Sequence, residues 1–368
     1  MSKHLPLIQK VFTYFPTPRF LEMPHAGIDI SPRSIRFIEL ERTTQGLRLE
    51  DFGEQTLPTS LVAGVSLLSN QDLVFALKKI KRTNNLSFVA ASIPEDKAYV
   101  FTMEIPCGNE HDIRTHIEFH LEENVPISLA DAVYDYFSIS INERMNTFFA
   151  SVTVVPLAVV DEYIDLFTTC GMIPISFLIE NHALTKSIIA KGDGRTTLVV
   201  NLGLQKTVLS VVSNEAVQFT STVSIGSDDL TAAIMKEFNV DQAEAEKVRR
   251  EKGFTHSKEN ERLFLSLINT ASALKDEINH IYVYWDSYRE KNKENSTVPP
   301  ICRIVLAGRD ASLAGFREYL AMSMKTDVEL ANVWTNIFSF NDSIPPIEYL
   351  ESLNYGTAIG LALPKQSN

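Results

Sequence analysis

With 368 residues, 45% of them hydrophobic and 22% charged, the chain has the balance of a folded globular protein, too long for one small core and suited to two lobes or several subdomains. Its net charge of -12 excludes a general nucleic-acid binder, which needs a concentrated basic surface. Cys107, Cys170 and Cys302 stand far apart without a C-x-x-C pair, which offers neither a disulfide framework nor a zinc site and fits a reducing cytoplasm.

The chain opens with an arm, residues 1–25, in which Leu5, Ile8, Val11, Phe12 and Phe15 recur at helical spacing. It has no basic start, apolar centre and small-residue cleavage site in sequence, so it is not a signal peptide and reads as a helix or arm packed on the protein, with a membrane-surface anchor as the alternative. Residues 26–40, A-G-I-D-I-S-P-R-S-I-R-F-I-E-L, predict strand, tight turn and strand, and open a first lobe over 26–100. Residues 101–178 predict a self-contained α+β insertion: a strand to Pro106, a helix 111–124, strands 133–141 and 146–155, a helix 157–170 and a last strand 175–178. Its strongest apolar run, 152–160, holds Pro156 and is too short to span a membrane. Residues 179–192 return to the first lobe. A second lobe begins over 193–225, where L-V-V-N-L-G-L-Q-K-T-V-L-S-V-V (198–212) repeats the strand, turn and strand of the first block. Apolar residues spaced by three and four, among them Leu230, Ile234, Leu263, Leu267, Leu274 and Ile278, predict a helical subdomain over 226–299. The last part, 300–368, holds a buried strand 303–307 and a closing helix of small residues, Y-G-T-A-I-G-L-A-L.

The two strand-turn-strand blocks each carry a short polar residue ahead of the turn, Asp29 and Asn201. The first block resembles the first phosphate loop of the actin, sugar-kinase and heat-shock chaperone superfamily. In the same order follow I-G-S-D-D-L-T-A-A-I (225–234), A-E-A-E-K (243–247), I-V-L-A-G (304–308) and the closing G-T-A-I-G-L-A-L. Taken together the phrases are most similar to the type IV pilus assembly PilM family, itself related to cell-division FtsA.

That resemblance implies an α/β, duplicated actin-like (ribonuclease H-like) fold of two lobes, with the inserted α+β subdomain in the first and the helical subdomain in the second. It implies ATP and magnesium between the lobes, because two facing hairpin turns can aim backbone N–H groups and hydroxyls at a triphosphate. By resemblance Asp29 holds magnesium through water, Ser31, Ser34 and Arg36 line the first loop, and Asn201, Gly203, Lys206 and Thr207 the second. Glu244 and Lys247, three apart on a helix, take the ribose and adenine, and Gly308 with Arg309 the adenine. The insertion implies the pilus role: in the family its groove with the first lobe receives the cytoplasmic N-terminal peptide of the membrane protein PilN. The protein is then a cytoplasmic scaffold on the inner face of the membrane, in contact with other platform and motor components, and with the membrane only through partners.

Several positions depart from the family pattern: Ser31 and Arg309 replace glycines, Asn201 an aspartate, and Leu204 and Lys206 small hydroxyl residues. A carboxamide cannot act as a base or charge the metal site, so ATP turnover is expected to be weak or absent. No P-loop, Rossmann or nucleophile-elbow motif occurs. His116 and His120 read as a solvated helix face, and Asp228 and Asp229 as the start of a helix. An FtsA-like cell-division protein and a sugar-kinase-like phosphotransferase remain the alternatives, the second lacking a recognisable base.

Overall fold

The computed structural model describes residues 23–43, 46–58, 61, 66–142, 145–255, 257–291, 299–338 and 344–364, without the side chains of 140–142. The apolar spacing over residues 5–15 lies outside the described residues.

Two five-stranded sheets repeat one plan. In the first, β1 (Ala26–Ser31), β2 (Ser34–Thr43) and β3 (Gly46–Thr56) form an antiparallel meander. Helix α1 (Gln71–Asn84) then crosses to β4 (Phe88–Ile93), which runs parallel to β1. Helix α1 starts where the Asn70 side chain accepts from the Leu73 N–H, ends at Asn85 in the left-handed region, and buries Leu73, Ala76, Leu77 and Ile80 against the sheet. An N-cap asparagine and a left-handed asparagine after the last turn are the stop and start signals expected of a short amphipathic helix.

After β4 come β5 (Tyr99–Pro106), α2 (Glu110–Asn124), β6 (Ala132–Asn142) and β7 (Thr147–Pro156), which form a three-stranded sheet in the order β5-β7-β6 with α2 on one face. Ile105, Ile117, Leu121, Phe148, Ala150, Val152 and Val154 make its own small core. Alternation on β7 separates that core from the opposite face, as period-two patterning dictates. The next helix and strand, expected from sequence to complete the module, pack elsewhere. Helix α3 (Leu157–Thr169) buries Tyr163, Leu166 and Phe167 in the first-lobe core, and β8 (Ile173–Ile179) pairs in parallel with β4. The first sheet is therefore β3-β2-β1-β4-β8.

Helix α4 (Glu180–Ile188) leads into the second lobe. There β9 (Thr196–Leu202), β10 (Thr207–Ser213) and β11 (Ala216–Val223) repeat the meander. A helical segment follows: α5 (Ser227–Phe238), α6 (Gln242–Lys252) and the long α7 (Glu261–Lys291). Then β12 (Ile301–Ala307) runs parallel to β9, and after α8 (Phe316–Met324) comes β13 (Asp327–Leu330), giving the order β11-β10-β9-β12-β13. The two sheets have the same strand order and directions, so the duplicated, two-lobed actin-like arrangement is what the chain adopts.

The short α9 (Tyr349–Ser352) and α10 (Gly356–Ala362) close the chain. The small residues of α10 serve close approach between elements: a Cβ on Gly360 would collide with the backbone of Ala183 in α4, and one on Gly27 with the backbone of α10. Helices α4 and α10 thereby join the lobes, since Leu184, Ile188, Ala358 and Ile359 enter the second-lobe core while Ala183 and Leu361 pack with Ala90 of β4. Among the described residues no helix is long and apolar enough to cross a membrane.

Candidate functional site: an interlobe cleft and a groove beside it

The β1–β2 turn is tight, Ser31 lying opposite Ser34. Asp29, 6% exposed, accepts from Ser31 Oγ at 3.1 Å and from Ser92 Oγ of β4 at 2.8 Å. Hydroxyl donors of this kind hold a buried carboxylate in a fixed orientation. Arg36 lies beneath: its Nη2 donates to Glu54 at 2.9 Å, and its Nη1 stands 4.0 Å from Asp29 and 3.4 Å from Ser31 Oγ. It is 4% exposed, so it charges the base of the loop from within the lobe. Ser34 is buried as well.

The β9–β10 turn is built otherwise. Gly203 N–H donates to Lys206 O within the turn, Ser227 N–H to Gly203 O, and Asp228 N–H to Leu204 O. Thr207 Oγ1 donates to Ile225 O at 2.6 Å. The turn is thus sewn to the N-terminus of α5, where Asp229 accepts from the Gly226 N–H at 2.8 Å. Asn201 donates to Asn181 Oδ1 at 2.9 Å and to Glu180 at 3.4 Å. Gly308, at φ 90°, touches it from β12: a Cβ there would stand 2.5 Å from Asn201 Oδ1 and 2.6 Å from Leu202 O. Only glycine fits both the backbone conformation and the space.

Residues that the sequence reading passed over complete the cleft. Glu180, at the junction of β8 and α4, has its pKa pushed up to about 7, first by burial and then by the negative charge of Asp29. Two carboxylates facing one another in a poorly solvated site cannot both ionise cheaply. Glu95, beyond β4, is likewise raised, mainly by burial. On α6 the expected pair Glu244 and Lys247 stands exposed, whereas Glu246 and Arg249, with the same spacing, turn inward. Arg249 Nη1 donates to Ser227 O at 2.9 Å and Nη2 to Asp310 at 3.1 Å. Both Arg249 and Asp310 are 4% exposed. Arg249 Nε, Asp310 Oδ2 and Ser227 Oγ are buried there without a hydrogen-bond partner among the described residues. Arg309 is exposed beside them. The E-x-x-K of residues 244–247 and the E-x-x-R of 246–249 overlap in sequence; only the burial of Ala245 and Arg249 selects the register.

A groove of about 1250 Å³ lies between the inserted sheet and the main sheet of the first lobe and reaches α4, α10 and, at Glu215, Ala216 and Val217, the second lobe. Its walls are β6 and β8, each an edge strand of its sheet. Val133, Val155, Ile175 and Phe177 make it apolar, and Tyr134 and Tyr136 line it too. Their hydroxyls donate to Glu118 and Glu110 at 2.7 Å each. Burial, then those carboxylates, pushes both phenols up to about 12. The floor carries Ser151 Oγ, Thr185 Oγ1 and His182 Nδ1, all buried without a partner among the described residues. Burial pushes the His182 pKa down to about 4, so the ring is neutral near pH 7. Buried polar atoms left unpaired cost free energy.

The family model described as "Type IV pilus assembly protein PilM" matches residues 27–366. Among solved structures, a PilM-PilN type IV pilus biogenesis complex superposes with a TM-score of 0.74 at 16% identity, over 94% of this chain and 98% of that one. The ethanolamine utilization protein EutJ from Carboxydothermus hydrogenoformans gives a TM-score of 0.52 at 13% identity, over 94% of this chain and 90% of the other.

Proposed function

The chain belongs to the type IV pilus assembly protein PilM family, and on that premise we propose that it is a cytoplasmic scaffold of the inner-membrane pilus platform, whose groove holds the cytoplasmic N-terminal peptide of a PilN-like membrane protein and whose cleft holds ATP with magnesium. The observation that carries the reading is the groove between the edges of β6 and β8, with the apolar side chains Val133, Val155, Ile175 and Phe177 and three buried polar atoms that have no partner among the described residues. An extended peptide offers what both walls lack, since edge strands pair with an added backbone and alternate side chains enter apolar pockets. Ser151, Thr185 and neutral His182 then gain hydrogen bonds from the peptide's own polar groups.

The cleft residues fit a nucleotide. Asp29, held by two hydroxyls, is the carboxylate that would orient a hydrated magnesium ion. The unpartnered atoms of Ser227, Arg249 and Asp310 suit the hydroxyls and ring nitrogens of a nucleoside. Glu180, with a pKa near neutrality, is the group at hand to accept a proton, but the neutral Asn201 opposite leaves the metal side one charge short, so turnover is slow. Bound magnesium ATP would supply the negative charge and coordination that tie the two hairpins together.

The test is fluorescence anisotropy of the labelled N-terminal cytoplasmic peptide of the pilus membrane partner, titrated with the chain, with and without magnesium ATP. Saturable binding, weakened by Val133→Asp in the groove wall, is the expected result. No binding to a folded chain in either condition would remove the peptide role.

A further inference from the structure

Among the described residues three ion pairs cross from one lobe to the other at the hairpin turns. Arg33, in the β1–β2 turn, places Nη2 3.0 Å from Asp228 at the start of α5 and Nη1 3.8 Å from Glu246 on α6. Lys206, in the β9–β10 turn, places Nζ 2.6 Å from Asp96, just after β4. Each phosphate-loop turn therefore sends a cation to carboxylates of the opposite lobe. Hydrogen bonding and charge from Lys206 overcome the burial of Asp96 and bring its pKa below the usual range. At Asp228 burial outweighs Arg33 and raises it.

Two further cations at the cleft are fixed. Arg36 is buried between Glu54 and Asp29, and Arg249 on Asp310. Arg33 and Lys206 keep 32% and 31% of their side-chain surface exposed, so they can change partners without leaving a charge stranded in a core.

We propose that Arg33 and Lys206 are exchangeable polyphosphate ligands: in the ligand-free chain they tie the lobes across the cleft, and an entering polyphosphate takes both cations from Asp228, Glu246 and Asp96. The inference rests on reading the cleft as a nucleotide site. Phosphate oxygens compete with carboxylates for the same N–H donors, and a triphosphate offers more charge than the carboxylates it displaces. The consequence is a pair of opposite signs. Removing the acidic partners frees the cations and strengthens anion binding; removing the cations weakens it. Both loosen the ligand-free lobes.

The experiment uses the whole chain with Cys107→Ser and Cys302→Ser, spin-labelled at Phe75→Cys on α1 and Met322→Cys on α8, positions 72% and 81% exposed. Interlobe distances are measured without ligand from low to high salt. Binding of magnesium ATP and of inorganic triphosphate is measured in parallel by calorimetry. Asp96→Asn with Asp228→Asn is expected to broaden the ligand-free distances, as high salt does, and to tighten binding of both anions about fivefold, the modest size that partly exposed pairs allow. Arg33→Ala with Lys206→Ala is expected to weaken both about tenfold, and Arg33→Lys to recover part of that loss. Unchanged distances and unchanged affinities in both double variants, with ATP still bound, overturn the exchange and leave the nucleotide reading standing. Triphosphate bound with the expected signs, but ATP not bound, removes the nucleotide reading and keeps the exchange. Weakened binding in the Asp→Asn chain overturns the exchange outright.

Discussion

The two hairpins occupy matching places in matching sheets, yet each solves the same local problem differently. In the first, the residue ahead of the turn is the carboxylate Asp29, and the neighbouring parallel strand β4 sends it a hydroxyl from Ser92. In the second it is the carboxamide Asn201, and the neighbouring strand β12 presents bare Gly308 instead. The first loop is a charged site stabilised by side-chain donors. The second is a close-packed one, its turn stitched by backbone bonds to α5. A duplicated frame therefore fixes where a polar residue stands, while its immediate neighbours decide whether it carries charge or packs.

The difference breaks most visibly at the close-packed end. Gly308→Ala forces a Cβ onto Asn201 Oδ1 and Leu202 O at a backbone conformation that L residues rarely adopt. About 3 kcal/mol of destabilisation is expected from overpacking and backbone strain together. Ser92→Ala at the corresponding contact of the first lobe removes one hydroxyl donor and is expected to cost about 1 kcal/mol. Urea denaturation of both variants compares the lobes directly; equal losses would mean that the second hairpin is no more tightly packed than the first.

Asn201→Asp makes the second hairpin chemically like the first. The new carboxylate would lie within hydrogen-bonding distance of Glu180, itself already charged against by Asp29. With three acidic groups and no added cation, a loss of about 2 kcal/mol near pH 8 is expected, shrinking as the pH falls towards 5. Magnesium ATP should restore part of it by supplying the missing counter-charge. A variant as stable as the parent at pH 8 would show that Asn201 is not retained to limit charge.

How much of this was legible in sequence depends on how local the cause is. Both hairpins were, because strand, turn and strand are written in ten to fifteen consecutive residues with alternation and turn signals. The closing helix was, because only small residues allow Gly360 to rest on Ala183. The edge of the inserted module was not: α3 and β8 follow β7 directly, but their apolar faces belong to the first-lobe core, a fact carried by distant partners. The cleft suffered in the same way. Arg33 and Asp228 lie 195 positions apart, and Lys206 and Asp96 110, so no spacing rule connects them. Glu180 stands at the start of α4 with no neighbour in sequence to mark it, and its perturbation arises only when the fold carries Asp29 and Asn201 to its side.

Glu180 gives the finest test of the asymmetry, because it stands between the charged and the neutral hairpin. Its folded pKa, about 7, lies above the ordinary carboxyl value of 4.5. The sign follows from which form the fold prefers. The protonated acid suits the site, so its contribution is fully present below pH 4.5 and is lost as the pH rises through 7. Glu180→Gln keeps the shape and cannot ionise. It should match the parent near pH 4.5, gain on it up to about pH 7, and hold a constant lead of about 1 kcal/mol at pH 8, a value reduced for the solvent that reaches this carboxyl from the cleft. Adding Asp29→Asn removes the facing charge and should shrink that lead, whereas Asn201→Ala should enlarge it by removing a hydrogen bond to the ionised form. Denaturation at pH 5 and pH 8 decides it. A lead independent of pH would show that Glu180 does not titrate in the fold.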